Sequence, residues 1–180
     1  MMMRIVIVLV VLILSMVSAS YLDAFRSNTG SMKCPTSGSS VHAGCEVAIT
    51  FTNSCADVAN EMVARVQGQY NAWHDPHNNG TYAITSSSSK EISIDRKTGD
   101  GSNYVDKIIY TLTPSASNGC DVTGCSQSQV FSIGDYGTNY CNVHNLYCSD
   151  DSCYPQITRL SYTEQVLKCT QATVSACSTV

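Results

Sequence analysis

Two imidazoles and a carboxylate fall close together at Trp73-His74-Asp75-Pro76-His77. Such a group can bind a metal or act as an acid–base pair. The same residues also have ordinary structural uses. A histidine near a helix C-terminus complements the helix dipole, and Asp-Pro starts a turn. Pro76 separates the imidazoles, so they share no regular helical face. Trp73, His74, Asp75 and His77 therefore read as a candidate recognition turn. No catalytic residue, metal ligand or cofactor is assigned. The alternative reading is a small extracellular hydrolase that uses His74, Asp75 and His77.

The ten cysteines are Cys34, Cys45, Cys55, Cys120, Cys125, Cys141, Cys148, Cys153, Cys169 and Cys177. An even count downstream of an apolar N-terminus predicts disulfides in an exported protein. Spacing does not choose the pairs. Cys34 and Cys177, the outermost, are candidate partners. Cys120 with Cys125, and Cys148 with Cys153, could close local loops. Cys55 is expected to tie a helix to the C-terminal region. Cys141, His144, Cys148 and Cys153 have tolerable zinc spacing, but oxidation competes with metal in an exporting compartment. Cys141-Asn-Val-His144 also faintly resembles the active-site helix of small secreted calcium-dependent phospholipases. Asn145 stands where that family needs aspartate, Cys148 is displaced by one, and the glycine-rich calcium loop is missing. The likeness carries no function.

Other groupings are weaker. Asp100-Gly-Ser-Asn103 with Asp106 offers oxygen ligands but lacks the calcium loop's terminal glutamate, so a polar hairpin tip explains it. Asp150-Asp151 reads as a solvated acidic tip. Neither a G-x-S-x-G elbow nor an H-E-x-x-H pair occurs. Ten tyrosines against three phenylalanines suit either a recognition surface or a core with wet edges.

Arg4 followed by the apolar run Ile5 to Val17 and small residues to Ala19 reads as a signal peptide over 1–19. The run is shorter than the roughly 20 residues that span a bilayer. The expected product is secreted, with no membrane association after processing. Removing Arg4 leaves nine Lys and Arg against 14 Asp and Glu, a formal net charge of −5. That sign disfavours nucleic acid as a partner. Asn79-Gly-Thr81 is an N-glycosylation acceptor.

Residues 20–44 are rich in Ser and Gly and read as an N-terminal arm. Residues 45–180 read as a single disulfide-rich domain. Cys45 to Phe51 alternates as a half-buried strand. Cys55, Val58, Ala59, Met62, Val63, Val66, Tyr70 and Trp73 then fall within about 140° of helical arc. That stripe predicts an amphipathic helix over about 54–73, capped by Asn53 or Ser54. Glu61 lies outside the stripe and pairs with Arg65 in the favourable i,i+4 order. Strands are expected over 81–87, 90–97, 104–113, 128–133 and 156–168. The expected fold class is α+β. One helix packs on a curled antiparallel sheet, cystatin-like or nuclear-transport-factor-like by analogy, with a disulfide-stapled C-terminal region. The function that follows is a secreted, non-enzymatic binding or structural module whose partner is an extracellular protein or glycan.

Overall fold

A computed structural model describes residues 32–68, 75–149, 153 and 156–178. The expected signal peptide and the first part of the arm lie outside these residues, as do Trp73, His74, Asp150 and Asp151. The class is α+β. Strands β1 (Gly44–Phe51), β2 (Thr81–Ser87), β3 (Glu91–Lys97), β4 (Val105–Pro114), β5 (Cys120–Ser128) and β6 (Tyr162–Cys169) form one antiparallel sheet in the order β2-β3-β4-β5-β1-β6. It is not strongly curled.

Alternation sets the sheet's two faces. Val47, Ile49 and Phe51 of β1 point to the same side as Ile92 and Ile94 of β3, Ile108, Tyr110 and Leu112 of β4, and Val122 of β5. Helix α1 (Cys55–Val66) crosses this inner face and carries the chain from β1 to the far edge at β2. Strands β2 to β5 then return as a meander. Helix α2 (Thr138–His144) covers the other half, over β5 and β1.

Helix α1 starts where expected, with the Ser54 hydroxyl accepting the Asp57 N–H. It ends earlier. Gly68 adopts a φ of +60°, the left-handed conformation of a helix C-terminus. Val58 and Met62 of the stripe are fully buried, each worth about 1.5–3 kcal/mol of burial. Glu61, placed by the stripe on the solvent side, is fully buried too. The backbone at Asn145, Cys148, Ile157 and Thr158 meets that side. Arg65 donates to the Asn145 and Cys148 carbonyls, and Glu61 accepts the N–H groups of Ile157 and Thr158.

Three other expectations change. The sheet carries a second helix, α2, where only a stapled region was foreseen. Residues 129–133 leave the sheet after Ser128 and form a loop. The last strand starts at Tyr162, because Glu61 takes the backbone donors of 157 and 158.

All ten cysteines are paired: Cys34–Cys125, Cys45–Cys169, Cys55–Cys120, Cys141–Cys177 and Cys148–Cys153. Cys34 joins Cys125 rather than Cys177, and Cys120 joins Cys55. The reason is facial. Cys120 points inward beneath α1, whereas Cys125 points outward, where the arm around Cys34 crosses the second face.

Candidate functional site

Alternation along three neighbouring strands places Arg96, Asp106 and Ser128 side by side on the inner face. The apolar floor becomes polar at that end. Arg96 is fully buried. Its Nε and Nη2 donate to Asp75 Oδ2 at 3.1 and 2.5 Å, and Nη2 also reaches the His77 carbonyl and Asn78 Oδ1. Its guanidinium lies 5.6 Å from the centre of the Tyr82 ring. Burial opposes the Arg96 charge, but Tyr82, Asp75 and Asp106 outweigh it and hold the pKa above its usual value.

Asp75 organises the turn foreseen as a recognition element. Its carboxylate accepts the N–H groups of His77 and Gly80 and the Asn145 amide. The turn is therefore wound around its own first side chain. His77 is equally engaged. Nδ1 donates to the Ala176 carbonyl at 2.7 Å, which leaves Nε2 to accept the Thr138 hydroxyl at 3.0 Å. These contacts make Asp75 and His77 structural parts of the turn. His77 also lines the neighbouring cleft.

Helix α2 roofs the polar row. Asn142 donates to Asp106 Oδ2 at 2.8 Å and to Ser126 Oγ at 3.1 Å. Ser126 donates to Asn139 Oδ1, whose amide donates to Ser128 Oγ and Asp135 Oδ2. Asp135 Oδ2 also accepts the Asn139 N–H, anchoring the start of α2.

Beside this row opens a cleft of about 560 Å³, bounded by the 75–80 turn, the 98–104 hairpin loop and the 129–138 loop. Asp106 lies in its wall and Asp100 and Asp135 flank it. Its rim carries large side chains in water: Tyr104, Phe131, Ile133 and Tyr136 are 53%, 67%, 77% and 87% exposed. Tyr136 has a φ of +53°, unusual for a bulky residue. Gln171 Oε1 holds it there by accepting the N–H groups of Asp135 and Tyr136. The Ser102 hydroxyl and N–H hold the exposed Asp100 carboxylate below its usual pKa range.

A second polar cluster lies between α2 and β6. Tyr140 and Tyr147 donate to Glu164 at 2.7 and 2.5 Å, and His144 Nδ1 donates to it at 3.0 Å. Burial raises the Glu164 pKa, but the bonds from His144, Tyr147 and Tyr140 outweigh it and pull the carboxyl below its usual range. Burial first, and Glu164 second, push Tyr140 upward; the same two influences raise Tyr147. A histidine–carboxylate pair can move protons, but its contacts here are two phenols that fasten the edge strand β6 to α2 and to the turn after it.

The metal groupings are filled by covalent bonds. Cys141, Cys148 and Cys153 are in disulfides, so the zinc spacing around His144 offers no thiolate. Cys34, Glu46 and Cys125 converge among the described residues, but the two sulfurs are bonded to each other.

The cleft's main parts were not assembled by the sequence. Val130, Phe131 and Ile133 looked like strand residues. Asp100 and Asp106 looked like one polar tip, yet the first is solvated and the second is buried. The tyrosines divide: Tyr110, Tyr140 and Tyr147 are core, and Tyr104 and Tyr136 are on the cleft rim. Comparison with protein-family models, with curated proteins and with solved structures returns no match.

Proposed function

We propose that this protein is a secreted, non-enzymatic binding module whose ligand, presented by an extracellular protein or glycan, seats in the cleft beside Asp106. The observation that carries the reading is the pairing of a 560 Å³ recess with exposed large side chains at its rim. Recognition sites combine such apolar and aromatic area with a few fixed polar groups. The rim loop is braced from behind by Gln171, which keeps Tyr136 projecting into water.

Export is supported by the five disulfides and by the signal-like N-terminus. No helix among the described residues is long and apolar enough to cross a membrane. The acidic balance disfavours a nucleic-acid partner. The cystatin-like or nuclear-transport-factor-like analogy is one of layers, a helix laid across an antiparallel sheet, and no function is taken from it.

The test is an array of purified extracellular proteins and glycans probed with the oxidised protein. Capture is expected, and the double change Phe131→Ser with Tyr136→Ala should abolish it. Leu167→Ser, on the exposed part of β6, should leave it intact. Absence of capture, or capture indifferent to the double change, would overturn the reading.

A further inference from the structure

We propose that the cleft recognises a cationic nitrogen, an ammonium or guanidinium on a short apolar stem, with Asp106 as its counter-charge. The proposal rests on the binding-module reading and names its ligand chemistry.

The first observation is an incomplete charge balance. Asp75 and Asp106 flank one buried cation, Arg96. Arg96 is oriented to Asp75, with two hydrogen bonds to that carboxylate. Its nearest approach to Asp106 is 3.9 Å, from Nη1 to Oδ2, beyond hydrogen-bond reach. The trio carries one more negative charge than positive.

The second observation is an unused acceptor. The Asp106 side chain is only 4% exposed. Oδ2 receives the Asn142 amide, and Oδ1 makes no hydrogen bond among the described residues. Oδ1 is not among the sealed, unpartnered atoms of the core, so it is open toward the cleft, and a cation supplied from there would take that position. Asp106 lines that cleft.

The third observation is the lining. Asp100, Asp106 and Asp135 contribute negative charge, and no lysine or arginine among the described residues lines the recess. Tyr104, Phe131 and Tyr136 are among the lining residues, and aromatic rings attract cations within about 6 Å. Val130 and Ile133 suit an alkyl stem. A neutral sugar would use the rings but leave the charge uncompensated.

The test titrates the oxidised protein with n-butylammonium, n-butylguanidinium, n-butanol and methyl β-glucoside, followed by amide chemical shifts. Both cations are expected to move the resonances of Asp106, Ser128 and Tyr136, with n-butanol at least about tenfold weaker. Asp106→Asn should lower cation affinity by about tenfold or more while the spectrum stays dispersed. Asp100→Asn, on an exposed loop that cannot unfold the core, should lower it by about threefold. Short peptides with one internal lysine or arginine distinguish the source. Tighter binding than the free amines assigns a protein side chain, and equal binding assigns small amines. Equal affinity for n-butanol, indifference to Asp100→Asn, or no cleft shifts with either cation would overturn the cation. Cleft shifts from methyl β-glucoside alone would overturn it while leaving the binding module standing.

Discussion

Glu61 and Arg65 stand one turn apart on α1, fully buried, with Arg65 Nε 2.8 Å from Glu61 Oε1. On a solvated helix this i,i+4 pair would be worth a few tenths of a kcal/mol. Here it is a clamp. Its outer atoms hold the backbone at Asn145, Cys148, Ile157 and Thr158, so the pair fixes the segments that flank the Cys148–Cys153 loop. Arg65→Met should cost about 3–5 kcal/mol, because it strands a buried carboxylate. Adding Glu61→Gln should recover part of that loss. Urea denaturation of the oxidised variants measures both. A double variant at least as unstable as Arg65→Met would show that the cost comes from the lost loop contacts, not the stranded charge.

Glu164 sets an acid limit. Its folded pKa lies below its ordinary value of about 4.3, so the folded state binds fewer protons than the unfolded chain through that window. The stabilisation is complete above about pH 4.3 and is lost as the pH falls through the depressed value. Glutamine at 164 keeps an acceptor for the tyrosines but does not titrate. Thermal melts of the native protein and Glu164→Gln should differ at pH 6, and the gap should close only as the pH falls through the depressed value. A gap that is constant with pH would count against this assignment.

The legible parts of the fold are those with a local period. Val58 and Met62 mark the face of α1 because they repeat at helical spacing, and β1, β3 and β4 alternate cleanly. Helix α2 hides because it has no apolar stripe. Every residue from Asn139 to His144 is buried, so asparagines and tyrosine occupy positions where a stripe would need apolar groups, and the hydrogen-bond network satisfies them. Strand β5 hides for a related reason: apart from Val122, its inner positions hold cysteine, glycine and serine. The cleft is the least legible element. The row Arg96, Asp106 and Ser128 exists only through the register of three strands, and no local pattern announces it. The burial of Glu61 likewise depends on a loop about 96 residues away.

Asn79 is exposed, in the turn next to cleft residue Asn78. A glycan there projects into water without displacing the core. Its φ of +52° suits asparagine better than most residues, so Asn79→Gln would alter the turn as well as the sequon. Thr81→Ala is the cleaner change, because Thr81 is exposed at the start of β2. Secretion from a eukaryotic host should yield a glycosidase-sensitive mass shift that Thr81→Ala removes without changing the melting temperature. An unshifted native protein would rule out modification in that host.

Tyr136 separates stability from recognition. Its ring is 87% exposed and buries almost nothing, yet its backbone occupies the left-handed region that favours glycine. For a bulky side chain that conformation costs about 1 kcal/mol or more. A residue of this kind at the lip of a cleft is weak as a contributor to folding and useful as a contact surface. Tyr136→Gly relieves the backbone cost, although it also gives the unfolded chain more freedom, which offsets part of the gain. The expected balance is a stability equal to or up to about 1 kcal/mol above the native protein, with captured ligand lost. Gln171→Ala should do the reverse work on the loop: it removes the acceptor that holds the Asp135 and Tyr136 N–H groups, leaves the ring in place, and loosens its presentation. Binding should therefore fall in both variants, while only Gln171→Ala lowers the melting temperature. If Tyr136→Gly binds as well as the native protein, the ring is not part of the recognition surface and the strain at 136 has no functional account.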